Sequence, residues 1–317
     1  MNTAAVVIGR NEGPRLIRCL ASLAGQAAPI VYVDSGSDDG SVKAAQDVGA
    51  EVVNLDMTQP FTAARARNAG LARLNALGAE AEFVQLVDGD CELRTGWVAT
   101  AARFLDDNAD VAFVAGRLRE RFPDATLWNR LADAEWDTGT GDVAAIGGIA
   151  MLRRAAGEEA GGFREDLIAG EEPELCLRLR RRGWRIHRLN EEMAWHDIAM
   201  TRVSQWWKRC RRCGHAYAEG TALHGAGPER YRVWESRRSL VWGAGIPLAA
   251  AAGLVVTPWS AAILLAWPLQ MLRLRLKGYS SPRAIFLILG TVPEAQGILG
   301  FHVSRRRGRR PEIIEYK

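Results

Sequence analysis

The acids of Asp88-Gly89-Asp90 end the apolar run Phe83-Val84-Gln85-Leu86-Val87. Such a run reads as a buried strand, and it stops abruptly on two carboxylates. At the carboxyl edge of an open α/β sheet, a pair like this projects into the crevice where ligands bind. The spacing suits a hard divalent cation, Mg2+ or Mn2+. Two carboxylates take one face of the ion and leave positions open for phosphate oxygens. Gly89 lets the backbone turn sharply and leaves room for a bulky ligand. The competing reading is a plain Asp-Gly turn with solvated acids.

The elements that must position this pair can be read from the chain before it. Val6 to Ile8 is a short β-branched strand that breaks at Gly9-Arg10-Asn11-Glu12. A helix follows from about Pro14 to Leu23, with Leu16, Cys19, Leu20 and Leu23 at helical spacing and proline in its first turn. Ile30 to Val33 is a second strand, ending in the turn-rich Asp34-Ser35-Gly36-Ser37-Asp38-Asp39-Gly40, and a helix runs from Ser41 to about Val48. Glu51 to Leu55 is a third strand, followed by a helix from Ala63 to about Leu77. Strands alternating with helices, each strand closing on a polar or glycine-rich loop, predict a parallel sheet with ligands at its carboxyl edge. There is no G-x-G-x-x-G after the first strand and no Walker lysine motif. A phosphate-bearing ligand would be held through a metal and arginines instead.

The 317 residues are enough for one large domain and an appendage, and 48% hydrophobic with 25% charged is the composition of an ordinary globular protein. The net charge of +4 is unevenly placed, with cations crowding Arg178 to Arg185, Lys208 to Arg212 and Arg305 to Arg310. Such patches need anionic company in phosphates or lipid headgroups. Nucleic acid is not expected, because neither zinc-finger spacing nor an aromatic-interleaved basic signature is present. Five cysteines, an odd number, point to a reducing compartment rather than a disulfide framework. Cys210-x-x-Cys213 lacks a second pair, so no zinc site is expected there. The N-terminus enters a strand directly, without the charged and apolar regions of an export signal.

Four segments, Val7-Ile8-Gly9-Arg10-Asn11-Glu12, Val33-Asp34-Ser35-Gly36-Ser37-Asp38-Asp39-Gly40, Ala66-Arg67-Asn68-Ala69-Gly70 and Asp88-Gly89-Asp90, occur in one order. In that order and approximate spacing, over roughly residues 3 to 200, the chain resembles family-2 glycosyltransferases. The resemblance implies the GT-A fold of nucleotide-diphospho-sugar transferases: a Rossmann-like mixed, mostly parallel sheet flanked by helices. It also implies roles. Gly9, Arg10, Asn11, Glu12 and Asp34 would line the nucleoside pocket, and Asp34 is suited to accept from a base N–H, unless it only closes an Asx-turn. Ser35 stands where the family often has a second acid. Arg67 would face the diphosphate, with Arg65 as a fallback. Asp90 would be a direct metal ligand, Asp88 a contact to ribose or to a bridging water, and His196 a third metal ligand or a diphosphate contact. The metal, Mg2+ or Mn2+, would act on the leaving diphosphate as a Lewis acid.

The acidic run Glu171-Glu172-Pro173-Glu174 is similar to the family's acidic segment at the start of a helix beside the acceptor. Glu172, one methylene longer than the commoner aspartate, is the expected general base and Glu171 the runner-up. Clustered carboxylates raise one another's pKa. The same acids also favour a helix N-terminus on their own account. Gly147-Gly148, before the apolar Ile149 to Leu152, match a loop that lets the acceptor approach the backbone, with a strand-entry turn as the alternative.

From Ser204 the character changes. Gln205 to about Gly220 is a basic, aromatic helix, only loosely like the signature of processive family members. Leu240 to Val256 and Trp259 to Leu272 are nearly uncharged, joined by Thr257-Pro258, and each is shorter than the ~20 apolar residues of a full span. Cations at both outer ends fit a hairpin that enters from, and returns to, the cytoplasmic face of the cell membrane; a buried helical pair is the alternative. A third apolar stretch, Ala284 to Phe301, carries Glu294 and reads as interfacial. The expected organisation is a catalytic domain over 1–203, a basic helical linker over 204–235 and a membrane-associated region over 236–317. The expected activity is inverting, metal-dependent transfer from a nucleotide-diphospho-sugar to a hydroxyl of a saccharide, lipid-linked and destined for cell-surface polysaccharide. Two alternatives remain: transfer to a polyprenyl phosphate, and a non-catalytic nucleotide-sugar-binding membrane protein.

Overall fold

The structure, a computed structural model, describes residues 2–308. Arg309 and Arg310 of the basic tail, and the end of the 236–317 region, lie outside the described residues. The described chain forms two compact units. One contains residues 1–166 and 171–199; the other contains 167–170 and everything from Met200 on, so the segments 204–235 and 236–308 share one unit.

The first unit alternates strands and helices: β1 (Thr3–Gly9), α1 (Pro14–Leu23), β2 (Ile30–Asp34), α2 (Ser41–Asp47), β3 (Glu51–Asn54), α3 (Ala63–Ala76) and β4 (Phe83–Asp88). The hydrophobic periodicity places each of these within a residue or two, except that β1 begins three residues before the expected Val6. The chain continues through β5 (Cys91–Leu93), α4 (Trp97–Asp107), β6 (Val111–Glu120), α5 (Leu127–Trp136), β7 (Gly141–Asp142), β8 (Ala150–Arg153), α6 (Arg154–Glu159), α7 (Glu171–Arg181) and β9 (Arg185–His196). Strand β9 spans 12 residues, and Trp195 and His196 end it.

The nine strands form one sheet in the order β3-β2-β1-β4-β8-β6-β9-β5, with β7 paired to β9. Strands β1 to β4 pair in parallel, and β6 with β9 likewise. Between them β8 is antiparallel to both β4 and β6. The sheet is therefore mixed, and β3, β2, β1, β4, β6 and β9 all run toward one edge. The central strands are covered on both faces, so β1 and β4 are continuous apolar runs, buried almost throughout.

Helix α3 is pressed onto this sheet through Gly70, where a Cβ would stand 2.3 Å from Val6 Cγ1 and 3.2 Å from Val33 Cγ2. Gly70→Ala is accordingly expected to destabilise the domain by about 1–3 kcal/mol of overpacking. A lowered unfolding midpoint in urea checks this, and an unchanged midpoint would mean that the helix can step back.

The second unit is helical. It comprises α8 (Val203–His224), α9 (Val233–Leu240), a π-helical turn (Val241–Gly245), α10 (Ile246–Gly253), a 3-10 helix (Pro258–Leu265), α11 (Ala266–Leu276), α12 (Ser281–Leu289) and α13 (Thr291–Arg306). Glycines let α13 touch its neighbours backbone to backbone. A Cβ on Gly214 would lie 1.9 Å from Glu294 O, and one on Gly297 would lie 2.0 Å from Arg211 O. Glu294, the acid of the third apolar stretch, is buried within the second unit. It is 9% exposed, and it accepts from Arg238 Nη2 at 2.8 Å and from Ser239 Oγ. A charge inside an apolar stretch is thus matched by a cation and a hydroxyl on α9.

Candidate active site

Every strand that runs with β4 delivers its last residues to one edge, and the candidate residues gather there. Gly9 to Glu12 leave β1, Asp34 ends β2, Asp88 to Asp90 leave β4, and His196 ends β9. The reversed strand β8 begins at the same edge, which brings the Gly147-Gly148 loop to it.

The first two loops are laced together. Asn11, in the left-handed region at φ 54, donates its backbone N–H to Ser37 Oγ at 2.9 Å and accepts from Asp38 N at 2.9 Å through its side chain. Gly13 N donates to Asp39 Oδ2 at 2.9 Å. Asp34 is 3% exposed. One of its oxygens accepts from Tyr32 Oη at 2.9 Å, and the other from Gly36 N at 2.9 Å and Ser37 N at 2.8 Å. Here Asp34 organises its own turn, and Ser35 beside it is buried. Glu12 pairs with Arg15 at 2.7 Å. Its side chain crosses Gly9 and Gly89, whose missing Cβ atoms would each lie 3.2 Å from Glu12 Cγ. The glycine of Asp88-Gly89-Asp90 is therefore tightly packed on the β1 loop, where its Cβ would also stand 3.3 Å from Ile8 O. Arg10 is exposed at the rim.

The centre of the site is Arg67. The motif around it uses three directions of one helix. Gly70 meets the sheet. Asn68 clamps the turn after α6, donating to Phe163 O at 2.8 Å and accepting from Phe163 N at 2.9 Å. Arg67 points into the site. It is 2% exposed, and its guanidinium binds three carboxylates: Asp88 Oδ1 at 3.0 Å, Glu171 Oε1 at 2.6 Å and Glu172 Oε1 at 3.0 Å. Burial pulls the guanidinium toward neutrality, but Glu172, Asp88 and Glu171 more than reverse this and keep it charged. The expectation that Arg67 faces a diphosphate thus meets a side chain already enclosed by acids. Arg65 is held away as well, donating to Asp56 O, Gln59 O and Pro60 O.

Glu171 and Glu172 open α7, where the helix dipole also favours acids. Glu171 is 5% exposed at its side chain and Glu172 14%, so of the two Glu172 has the access a base needs. Burial, with Glu171 beside it, pushes the Glu172 carboxyl up to about 7 against the pull of Arg67. Gly148 closes the cluster: a Cβ there would lie 2.1 Å from Arg67 Nη2 and 2.6 Å from Glu172 Oε1. Gly147 has open space where its Cβ would be. Glu174, by contrast, is 1% exposed and pairs with Arg178 at 2.8 Å, a helix-stabilising pair outside the chemistry.

On the other side of the edge, Asp90 and His196 meet. The backbone sets this, because Cys91 pairs with His196 across β5 and β9, and Asp197 N donates to Asp90 O at 3.2 Å. His196 Nε2 lies 3.1 Å from Asp90 Oδ2, and the imidazole stacks on Trp136 at 4.6 Å. Asp90, Cys91 and His196 have ligand atoms within 4.8 Å of one another. A carboxylate and an imidazole converging in this way fit a divalent cation, and the nitrogen donor suits Mn2+ better than Mg2+. Asp88 is more open, with 36% of its side chain exposed, and one of its oxygens is held by Arg67. Asp90→Ala is expected to weaken any Mn2+ binding at this pair, measurable as a loss of calorimetric Mn2+ heat in the absence of any sugar donor.

Sequence reasoning missed two supports. Trp136 holds the His196 ring flat, and no signal in the chain marks it. Glu120 is wholly buried at the end of β6. It accepts from Phe122 N, Ile198 N and Asn129 Nδ2, and so ties the end of β9 to α5. Burial pushes its carboxyl up, and the Phe122 and Ile198 amides pull it down.

The mixed sheet with flanking helices is GT-A-like. The family model for glycosyl transferase family 2 matches residues 5–159, so this stretch is a family 2 glycosyltransferase domain. A mannosyltransferase from Pyrobaculum calidifontis, solved with GDP-Man and Mn2+, has the same fold. It shows 20% identity and a TM-score of 0.63 over 94% of this chain and 87% of that one. TarS of S. aureus is similar at 16% identity and a TM-score of 0.51, covering 93% of this chain and 55% of that one. A TPR repeat-containing protein of Synechococcus elongatus is 33% identical over 87 residues, 27% of this chain. The chain spans only about a fifth of that relative, 20% of its length.

Proposed function

We propose that this protein transfers a sugar, with inversion, from a nucleotide-diphospho-sugar to an acceptor hydroxyl, with Glu172 as the base. The observation that carries the reading is the Glu172 carboxyl. It is accessible at the site edge, held by Arg67 and poised near neutrality, which is where a general base works best. Glu172 takes the hydroxyl proton as the acceptor oxygen attacks the anomeric carbon. The bond from that carbon to the diphosphate oxygen breaks, and its electron pair leaves with the nucleotide diphosphate. A divalent cation held by Asp90 and His196, with Asp88 nearby, would supply Lewis-acid neutralisation of that leaving group. The mannosyltransferase of the same fold, solved with GDP-Man and Mn2+, supports a nucleotide-sugar donor and such a metal.

The laced loops from Gly9 to Glu12 and from Asp34 to Gly40 form the nucleoside side of the site, with Asp34 fixing the loop shape. The acceptor is a saccharide, lipid-linked, presented at the cytoplasmic face of the cell membrane for surface-polysaccharide assembly. The exposed apolar helices of the second unit support that setting.

The test is nucleotide diphosphate release from a panel of nucleotide sugars with Mn2+ or Mg2+, in detergent with a membrane lipid extract. Metal-dependent release from one donor, lost in Asp90→Ala and in Glu172→Gln, is the expected result. Full activity of Glu172→Gln would move the reaction to an already ionised polyprenyl phosphate acceptor. Donor binding without turnover would make the protein a binding module.

A further inference from the structure

Within the second unit, apolar length and apolar exposure fall on different segments. Ser281–Arg306 is long and apolar enough to cross a membrane by length and composition, yet half of the 18-residue window that makes it so is buried. Its Thr291, Glu294, Gly297 and Phe301 face inward, and its glycine contacts with α8 leave no room for lipid between the two helices. The shorter hairpin, Ile246–Leu276, is the reverse. Its only buried residue in α10 is Ala250, and the 3-10 helix and α11 bury none. At its tip Val255 is 89% exposed, Val256 86% and Trp259 85%. The hairpin is nonetheless a defined structure. A Cβ on Gly253 would lie 2.5 Å from Ser260 Cβ, and Trp267 Nε1 donates to Trp242 O at 3.1 Å, so its arms are tied near the tip and near the base.

We propose that this hairpin, and not the long apolar helix, is the membrane-docking device, inserting its Val255–Trp259 tip into a single leaflet of an anionic bilayer. The inference deepens the membrane setting proposed above and rests on it. From Trp242 to Val256 a helical rise of 1.5 Å per residue gives about 20 Å, short of the ~30 Å hydrocarbon core. The tip therefore ends inside the bilayer.

Charge selects the occupant. No Asp or Glu occurs between Ser236 and Pro293, whereas Arg273, Arg275 and Lys277 stand exposed at the base of the second arm. A second copy docked on the same face would bring like-charged rims together with no acid in this stretch to neutralise them. Anionic headgroups meet the rim, and acyl chains meet the tip.

The experiment is flotation of the full-length protein, diluted from detergent onto sealed phosphatidylcholine vesicles with and without phosphatidylglycerol. Neither donor nor acceptor is present, so failure here and failure of the transfer reaction are read separately. Wild type should float with the anionic vesicles. Val255→Asp with Val256→Asp should reduce the bound fraction at least ten-fold at an unchanged unfolding midpoint, since both side chains are exposed. Arg273→Glu with Arg275→Glu should remove the dependence on phosphatidylglycerol. In Val256→Cys, a membrane-impermeant maleimide trapped in the vesicle lumen should label nothing. Lumenal labelling would overturn the single-leaflet insertion. Binding that persists in both double variants would overturn the hairpin's role, and a vesicle-free dimer that the valine variants dissolve would make the face an interface between copies.

Discussion

Replacing Arg67 by alanine is expected to destabilise the first unit by about 3–5 kcal/mol, the cost of leaving buried carboxylates without their cation. Glu171 and Glu172 are 5% and 14% exposed at their side chains and share one guanidinium nitrogen, so bulk water compensates Glu171 hardly at all and Glu172 only in part. The sign of the pH dependence follows. Without Arg67, which pulls its pKa down against the push of burial, Glu172 takes up a proton more readily, so the loss should be smaller at pH 5 than at pH 8. Urea unfolding of both proteins at the two pH values measures this. An equal loss at both would mean that shape and packing around Phe163, 5.7 Å from the guanidinium carbon, matter more than charge.

Glu172→Gln should lower the transfer rate by about 10²–10⁴-fold, the usual contribution of a positioned general base. It should do so with little change in donor binding. Glutamine keeps the shape and can still meet Arg67, so the unfolding midpoint should stay close to that of the wild type. In wild type, burial and Glu171 hold the Glu172 carboxyl at about 7. Only the ionised form can accept a proton. kcat/KM should therefore rise with pH through that value and level off above it, and the rise should be absent from the residual activity of Glu172→Gln. A flat wild-type profile would remove Glu172 from the role of base.

The front half of the fold was legible in the sequence, because each strand from Thr3 to Asp88 is a short apolar run that ends on turn residues. Periodicity of 2 or 3.6 reports such elements directly. The reversal of β8 was not legible: strand direction is set by the neighbours a strand meets, and nothing within Ala150 to Arg153 encodes it. Of the site, the glycines, Asp88, Asp90 and the acids of α7 could be read from residue type and order. What Arg67 touches could not, because Asp88 and Glu171 approach it from positions 21 and 104 residues away. The same applies to Trp136 under His196. Gly148 reads in the sequence as part of an acceptor-approach loop, or else a strand-entry turn, and its closeness to Arg67 and Glu172 comes only with the fold.

The direction of β8 has a further consequence. Strand β6 arrives at the site edge at Glu120 and β8 leaves from that edge at Ala150, so the excursion between them departs and returns on the same side. Within it only β7 is tied to the sheet, through β9, so residues gained or lost between β6 and β7, or between β7 and β8, leave the register of β6 and β8 unchanged, and those next to Trp136 or Gly148 fall beside the site. On the function proposed above, this is where divergence can change the acceptor while the β1–β4 half stays as it is.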